Sequence, residues 1–260
     1  MLKLKKYKMF KRINFLNTTI LCLIGVITFF VFKNQCHLSY WYLAALLFLF
    51  LTIQSIGAYY IQLNFHVTSI NSLATTDKKV WLTFDDGPHN PNTTKVLEVL
   101  KKHDVKALFC VIGKNMSGNE TIIQHIVDDG HQLANHSFSH AFWFDAWSTQ
   151  KVMNDVEACQ HLIERYQSPS RLFRPPYGVT NPNIAKAIKK LNLQSIGWNV
   201  RSYDTSINNI KKIKERVLSQ LKPGAIILLH DRLELMPQLL EGLIPAIKER
   251  GYSFNANELS

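Results

Sequence analysis

From Val80 onward the chain keeps one rhythm, in which short runs of β-branched and aromatic residues alternate with longer helical patterns. Val80–Phe84, Lys106–Ile112, His131–Asn135, Leu172–Arg174, Gln194–Trp198 and Ala225–Leu229 read as strands, with Tyr252–Asn255 as a closing one. Helical patterns occupy 91–102, 121–129, 148–166, 183–191, 207–221 and 236–250. Breakers fall between them: Asn90 offers a cap, Gly130 a stop, Pro175-Pro176 cut a strand, and Pro223-Gly224 end a helix. Such alternation predicts βα units on a parallel sheet. About seven units in roughly 190 residues predict an incomplete, about sevenfold parallel β/α barrel, since a full eightfold one takes about 250 residues. An open doubly wound sheet is the other arrangement of such units. The barrel is favoured because the polar clusters fall just after strands, whose ends converge on one face of a barrel.

Those clusters carry the chemistry. Thr83-Phe84-Asp85-Asp86-Gly87-Pro88 ends the first strand with two adjacent acids, and His136-Ser137-Phe138-Ser139-His140 follows the third. An Asp-Gly pair makes an ordinary turn, but adjacent carboxylates after an apolar strand repel unless a cation or base uses them. On a helix, His136 and His140 would share one face, as residues i and i+4 do. With Asp86 they make a His₂-carboxylate set with positions left for water, a pattern of catalytic metal sites. Asp85 stays free. In Phe173-Arg174-Pro175-Pro176-Tyr177-Gly178 a stiff turn suits Arg174 to orient a carboxylate and a backbone N–H to face a developing oxyanion. His230, at the end of the buried run Ile226–Leu229, suits a general acid. The aromatic stretch Phe142-Trp143-Phe144 reads as packing or substrate stacking.

The N-terminal quarter is different. Residues 13–32 and 38–64 carry no charge, and each run reaches the about 20 residues that span a bilayer. Two hydrophobic membrane helices are therefore expected within 1–66, ahead of a catalytic domain at 67–260. A signal peptide is the competing reading of the first run, but it shows no small-x-small cleavage site before Lys33. Of the net charge of +11, residues 1–61 contribute seven basic residues and no acids. A tail so placed suits anionic headgroups and a cytoplasmic N-terminus, and no nucleic acid is expected as a partner. Two full spans would return the domain to the cytoplasm. The lack of Lys or Arg after the second run until Lys78 instead favours a membrane protein, multi-pass or N-terminally anchored, with its catalytic domain outside. Cys22, Cys36, Cys110 and Cys159 form no C-x-x-C, so neither a thiol zinc site nor a redox pair is expected.

Over roughly 79–252 the motifs, in order, resemble those of the polysaccharide deacetylases of carbohydrate esterase family four, the NodB-type domain. The resemblance implies an incomplete β/α barrel. It also implies a metal-dependent hydrolase removing N-acetyl groups from an amino-sugar polymer or oligosaccharide of peptidoglycan or chitin type. By the same resemblance Asp85 is the catalytic base, and Asp86, His136 and His140 hold one divalent ion, zinc before cobalt, nickel or manganese. Arg174 holds the base, Pro176 and Tyr177 shape the oxyanion turn, Leu228 lines an acetyl-methyl pocket and His230 is the acid. Trp198 stands in the fourth motif, which departs: Trp198-Asn199-Val200 is followed by Arg201, where an acid that pairs with His or Arg is usual, and then by Asp204. This implies altered tuning of His230. Two other functions fit the same residues: a deacylase or deformylase of a lipid-linked amino sugar at the membrane, and a membrane-tethered, non-catalytic carbohydrate-binding protein.

Overall fold

The computed structural model describes residues 22, 24–29, 33, 40–166 and 171–255. Its strands are β1 (Ser69–Ile70), β2 (Lys79–Asp85), β3 (Ala107–Val111), β4 (Gln132–Asn135), β5 (Leu172–Phe173), β6 (Gln194–Ile196), β7 (Val200–Arg201), β8 (Ala225–His230) and β9 (Ser253–Phe254). Its helices are α1 (Tyr40–Tyr59), α2 (Asn92–Lys102), the single turn α3 (Gly113–Met116), α4 (Glu120–Asp128), α5 (Thr149–Ile163), α6 (Pro182–Lys190), α7 (Ile210–Ser219) and α8 (Met236–Glu249). The strands join in the order β1-β6-β5-β4-β3-β2-β8-β7, with β9 added to the start of β2. Every strand pairing is parallel, giving the expected incomplete β/α barrel, whose end strands β1 and β7 do not pair with each other.

Alternation along the central strands decides what faces inward. In β2, Val80, Leu82 and Phe84 pack outward, in one core with Val96 and Leu100 of α2 and Leu239 and Leu243 of α8. Trp81 faces the opposite way, into a smaller inner core with Leu108, Cys110, Trp198, Ile226 and Leu228. Period two then carries Thr83 and Asp85 to that inner side at the C-terminal end of β2. The same rule in β8 carries His230 inward above Leu228. The register aligns Asp85 with both Cys110 and His230, so these side chains stand at one height.

The second hydrophobic run forms α1, a 20-residue helix. At about 1.5 Å per residue it is about 30 Å long, the thickness of a hydrocarbon core. Its side chains are largely exposed, Trp41 and Phe48 among them. Of the first run, residues 24–29 are helical and most of the remainder lies outside the described residues. No flexible tether separates α1 from the barrel. Ile61, two residues beyond it, is 1% exposed within the inner core. The Thr180 N–H donates to Ala58 O at 3.0 Å. Asn64 Oδ1 accepts from Ser69 N–H at 2.7 Å and from Asn71 Nδ2 at 3.2 Å.

One local expectation fails. Asn90 does not cap α2, which starts at Asn92 after Pro91 with no side-chain cap. Thr93 Oγ1 instead accepts the His89 N–H at 2.8 Å and donates to Asp231 Oδ2 at 2.6 Å, so the first turn is fastened to the loop after β8.

Ile61→Ala should destabilise the barrel by about 2–5 kcal/mol, the usual cost of truncating a fully buried Ile. Urea unfolding of the full chain in detergent, followed by tryptophan fluorescence, measures this.

Candidate active site

Strand ends and following loops bring the polar clusters together in a cleft of about 680 Å³. Asp85 ends β2 with its side chain inward. Asp86, next in sequence, adopts a left-handed backbone (φ 76°), which swings its carboxylate to the same cleft rather than to the opposite face. Its carbonyl is held by Asn115 Nδ2 at 2.8 Å. Gly87 must follow because a Cβ there would overlap the Asp231 carboxylate. Asp231 is buried, and burial raises its carboxyl to about 7.

The segment 136–140 is a loop, so the condition under which i, i+4 spacing would set the histidines on one face is not met. Left-handed conformations at Ser137 (φ 67°) and His140 (φ 46°) curl it so that the imidazole centroids lie 4.9 Å apart. Backbone hydrogen bonds hold the curl. Asn135 Oδ1 accepts the Ser137 N–H at 2.9 Å, the Asp155 carboxylate of α5 accepts the Phe138 N–H at 2.8 Å, and Ser137 Oγ accepts the His140 N–H at 3.0 Å. These contacts do what a helix would have done, by tertiary rather than periodic means.

Asp86 Oδ1 lies 3.6 Å from His136 Nε2 and 3.5 Å from His140 Nε2. All three donor atoms fall within 4.8 Å of one another. Donors at 2.0–2.2 Å from one tetrahedral ion stand about 3.4 Å apart, so the set fits a single divalent cation. His136 Nδ1 meets Arg174 O at 2.7 Å, which fixes the ring and leaves Nε2 to the cleft. Asp86 Oδ2 accepts from Arg232 Nε at 2.8 Å, which leaves Oδ1 facing the imidazoles. Burial opposes ionisation of Asp86, but His136, His230 and Arg232 together outweigh it and hold the carboxyl below its ordinary range. Burial, reinforced by the neighbouring His136, pushes His140 down to about 4, which keeps its nitrogen unprotonated and able to ligate.

Asp85 is paired differently. Arg174, fully buried, donates from Nη1 to Asp85 Oδ1 at 2.6 Å and to Thr83 Oγ1 at 2.9 Å, and from Nη2 to Gly197 O at 2.9 Å. Asp85 Oδ2 remains toward the cleft, 3.8 Å from His136 Nε2. On the other side His230 Nδ1 meets Asp204 Oδ1 at 2.8 Å, and the His230 N–H donates to Asp204 Oδ2 at 2.8 Å. Burial lowers the imidazole pKa, but the Asp204 hydrogen bond and charge, with Asp85 and Asp86 beyond, reverse this and raise it overall.

The arginine at 201 therefore does not leave His230 without an acid, as the fourth motif suggested; Asp204 takes that place. Arg201 turns into the cleft, 4.8 Å above the Tyr203 ring and 5.8 Å from that of Trp198. Leu228 and Trp198 line the cleft, and Pro176 is buried beneath it. Tyr177 lines it too, at φ 58°, with its ring 4.7 Å from that of His140. Of the ten residues singled out in the sequence, eight line this one cleft, Arg174 is bonded to Asp85 behind it, and Pro176 is buried in the turn beside Tyr177. The sequence reading missed Arg232, Asp155, Asn115 and Tyr59. Arg232, beside the His230-Asp231 pair, had the only local signal.

Residues 72–196 match the family model described as polysaccharide deacetylase. The chain is 33% identical over 187 residues to the peptidoglycan-N-acetylmuramic acid deacetylase PdaA of Bacillus subtilis, covering 70% of this chain and 71% of the relative. It is 34% identical over 183 residues to the peptidoglycan-N-acetylglucosamine deacetylase PgdA of Listeria monocytogenes, but spans only 38% of that longer protein. Among solved structures, the Bc1960 peptidoglycan N-acetylglucosamine deacetylase superposes with a TM-score of 0.68 at 29% identity, over 72% of this chain and 89% of that one. A family pseudoenzyme from Bacillus anthracis, BA3943, superposes with 0.67 at 28% identity, over 72% and 66%. The chain belongs to the polysaccharide deacetylase family.

His136→Ala should remove one of three ligands and abolish stoichiometric metal binding, whereas Arg232→Ala should weaken it by about 10–100-fold, as loss of an outer-shell partner does. Equilibrium dialysis against zinc with elemental analysis distinguishes the two.

Proposed function

We propose that this protein is a metal-dependent N-deacetylase of an amino-sugar glycan, of peptidoglycan or chitin type. The observation that carries the reading is the pairing of an intact His₂-carboxylate set with two further polarised groups, Asp85 held by Arg174 and His230 held by Asp204. The names of its relatives, which include a chitooligosaccharide deacetylase of Bradyrhizobium, support that substrate class. Asp86, His136 and His140 would hold a divalent ion, zinc by the family resemblance, which would supply Lewis acidity and lower the pKa of bound water.

The protein's own groups do the rest. Asp85, fixed from behind by Arg174, offers Oδ2 to accept the proton of the attacking water. The stiff Pro175–Tyr177 turn presents the Tyr177 N–H to the oxygen that gains charge as the amide carbon becomes tetrahedral, and one such donor is worth about 2.7–4 kcal/mol. Leu228 and Trp198 give the acetyl methyl an apolar wall. His230, protonated through Asp204, delivers a proton to the amine nitrogen as the C–N bond breaks. The ledger balances: water gives one proton to Asp85 and its oxygen to the acyl carbon, and the amine leaves with the proton from His230. A purely glycan-binding protein has no use for a paired base and acid at one height on adjacent strands.

The domain organisation follows the same reading. Residues 1–66 form a basic tail and membrane anchor and 67–260 the deacetylase domain, with α1 in the bilayer and the domain outside the cytoplasm. The absence of basic residues between α1 and Lys78 supports that side.

Asp85→Asn should lower turnover by about 10²–10⁴-fold, the range for losing a general base, while zinc stoichiometry is retained. Acetate release from N-acetylglucosamine oligomers, with zinc assayed on the same samples, checks both halves; undiminished acetate release would remove Asp85 from the role. Asp204→Asn tests the acid. Because Asp204 raises the His230 pKa, its loss lets the imidazole deprotonate sooner as pH rises. The alkaline limb of the kcat profile should move to lower pH, with the acid limb unmoved.

A further inference from the structure

The end of the apolar helix is part of the active-site wall. Tyr59, the last residue of α1, lines the same cleft as Asp86, His140 and Tyr177. Its position is fixed, because the preceding carbonyl, Ala58 O, accepts the Thr180 N–H just beyond the Tyr177 turn. Gly57 packs so closely under Phe65 that a Cβ there would enter the ring. Ile61 is buried in the inner core. The mouth of the cleft therefore stands at one end of a 20-residue apolar helix, with no tether by which the barrel could lift away.

Two further features point the same way. Exposed aromatic rings are grouped around the cleft. Phe142 and Trp143 are 72% and 67% exposed, Phe142 lies 6.4 Å from Tyr177, and Tyr59 and Tyr60 touch edge to face at 5.0 Å. Tyr and Trp at the end of an apolar helix are characteristic of the headgroup level of a bilayer. The cleft also carries cations beyond its own needs. Arg232 is spent on Asp86, but among the described residues neither Lys114 nor Arg201, both lining the cleft, meets a carboxylate. Two cations in the cleft wall without a carboxylate partner favour an anion on the substrate.

We infer that the amino sugar taken by this cleft is membrane-borne, joined to a lipid through a phosphate or diphosphate that Lys114 and Arg201 receive. The inference rests on the deacetylase reading and narrows its substrate. A sugar so carried sits at the depth that α1 imposes, and its phosphate lies next to the ring that bears the N-acetyl group.

The test uses the full chain in nanodiscs, zinc-loaded, with acetate release measured on three substrates. These are a polyprenyl-diphosphate-linked N-acetylglucosamine in the same nanodiscs, soluble UDP-N-acetylglucosamine and soluble chitotetraose. The lipid-linked sugar should exceed both soluble ones by at least tenfold in kcat/KM. Parity with the UDP-sugar would show that the lipid is irrelevant, and parity with chitotetraose that the phosphate is; either overturns the inference and leaves the deacetylase reading intact. Release from none of the three and none from purified peptidoglycan, with zinc bound, overturns both. In the double variant Lys114→Ala and Arg201→Ala the ratio of lipid-linked to chitotetraose turnover should fall at least fivefold. An unchanged ratio in a folded variant removes those two cations from the site.

Discussion

The buried pair of Arg174 and Asp85 holds the site together. Two charges taken out of water at 2.6 Å are tolerable only when their remaining hydrogen-bonding capacity is met. Here Thr83 Oγ1 and Gly197 O complete the guanidinium. Removing one partner of such a pair typically costs about 3–5 kcal/mol, because the other is left buried and uncompensated. Arg174 also reaches the metal side of the cleft through its backbone. Its carbonyl receives His136 Nδ1, and its N–H donates to Asn135 O at 2.9 Å. One residue thus sets the orientation of Asp85 with its side chain and of His136 with its main chain. Chemistry on one side of the cleft is mechanically tied to the other.

The pairing also explains how neighbouring acids take separate duties. Asp85 and Asp86 are adjacent in sequence and face one cleft, yet one carboxylate is given to the buried Arg174 guanidinium and the other to two imidazoles and Arg232. The left-handed turn at Asp86 makes the division possible. Such backbone strain, costing on the order of 1–3 kcal/mol per residue, persists only where the surroundings over-determine it. It recurs at His140 and Tyr177 in the cleft wall and at the buried Ser137 between the two histidines.

What the sequence disclosed, and what it withheld, follows from the range of the interactions concerned. The strands β2, β3 and β8 were legible because each is an apolar run bounded by breakers, and the histidine pair because its spacing is local. Strands β1 and β7, two residues each, escaped the reading, whereas β9, as short, was expected as the closing unit after the last helix. For the histidine segment the i, i+4 spacing offered a shared face only on the condition of a helix; its support comes instead from Asn135 and from Asp155 of α5. Asp204 was passed over in favour of the anomaly at Arg201, since only the fold shows that the chain turns after β7 to bring the later acid to His230. Nothing in the uncharged run of α1 marks Tyr59 as part of a catalytic wall. Because the same fold also carries a pseudoenzyme, the functional reading has to stand on these side chains rather than on the barrel.

The central strand leaves no room for drift in length. β2 is bonded along its whole course to β8 and over most of it to β3, with Trp81 and Thr83 inward and Val80, Leu82 and Phe84 outward. Inserting or deleting one residue before Asp85 would exchange the two faces, burying a carboxylate among the outer helices and pointing an aromatic ring at the cation site. Loops around the cleft can vary in length to suit new substrates, but the reading frame of this single strand is tied to the chemistry.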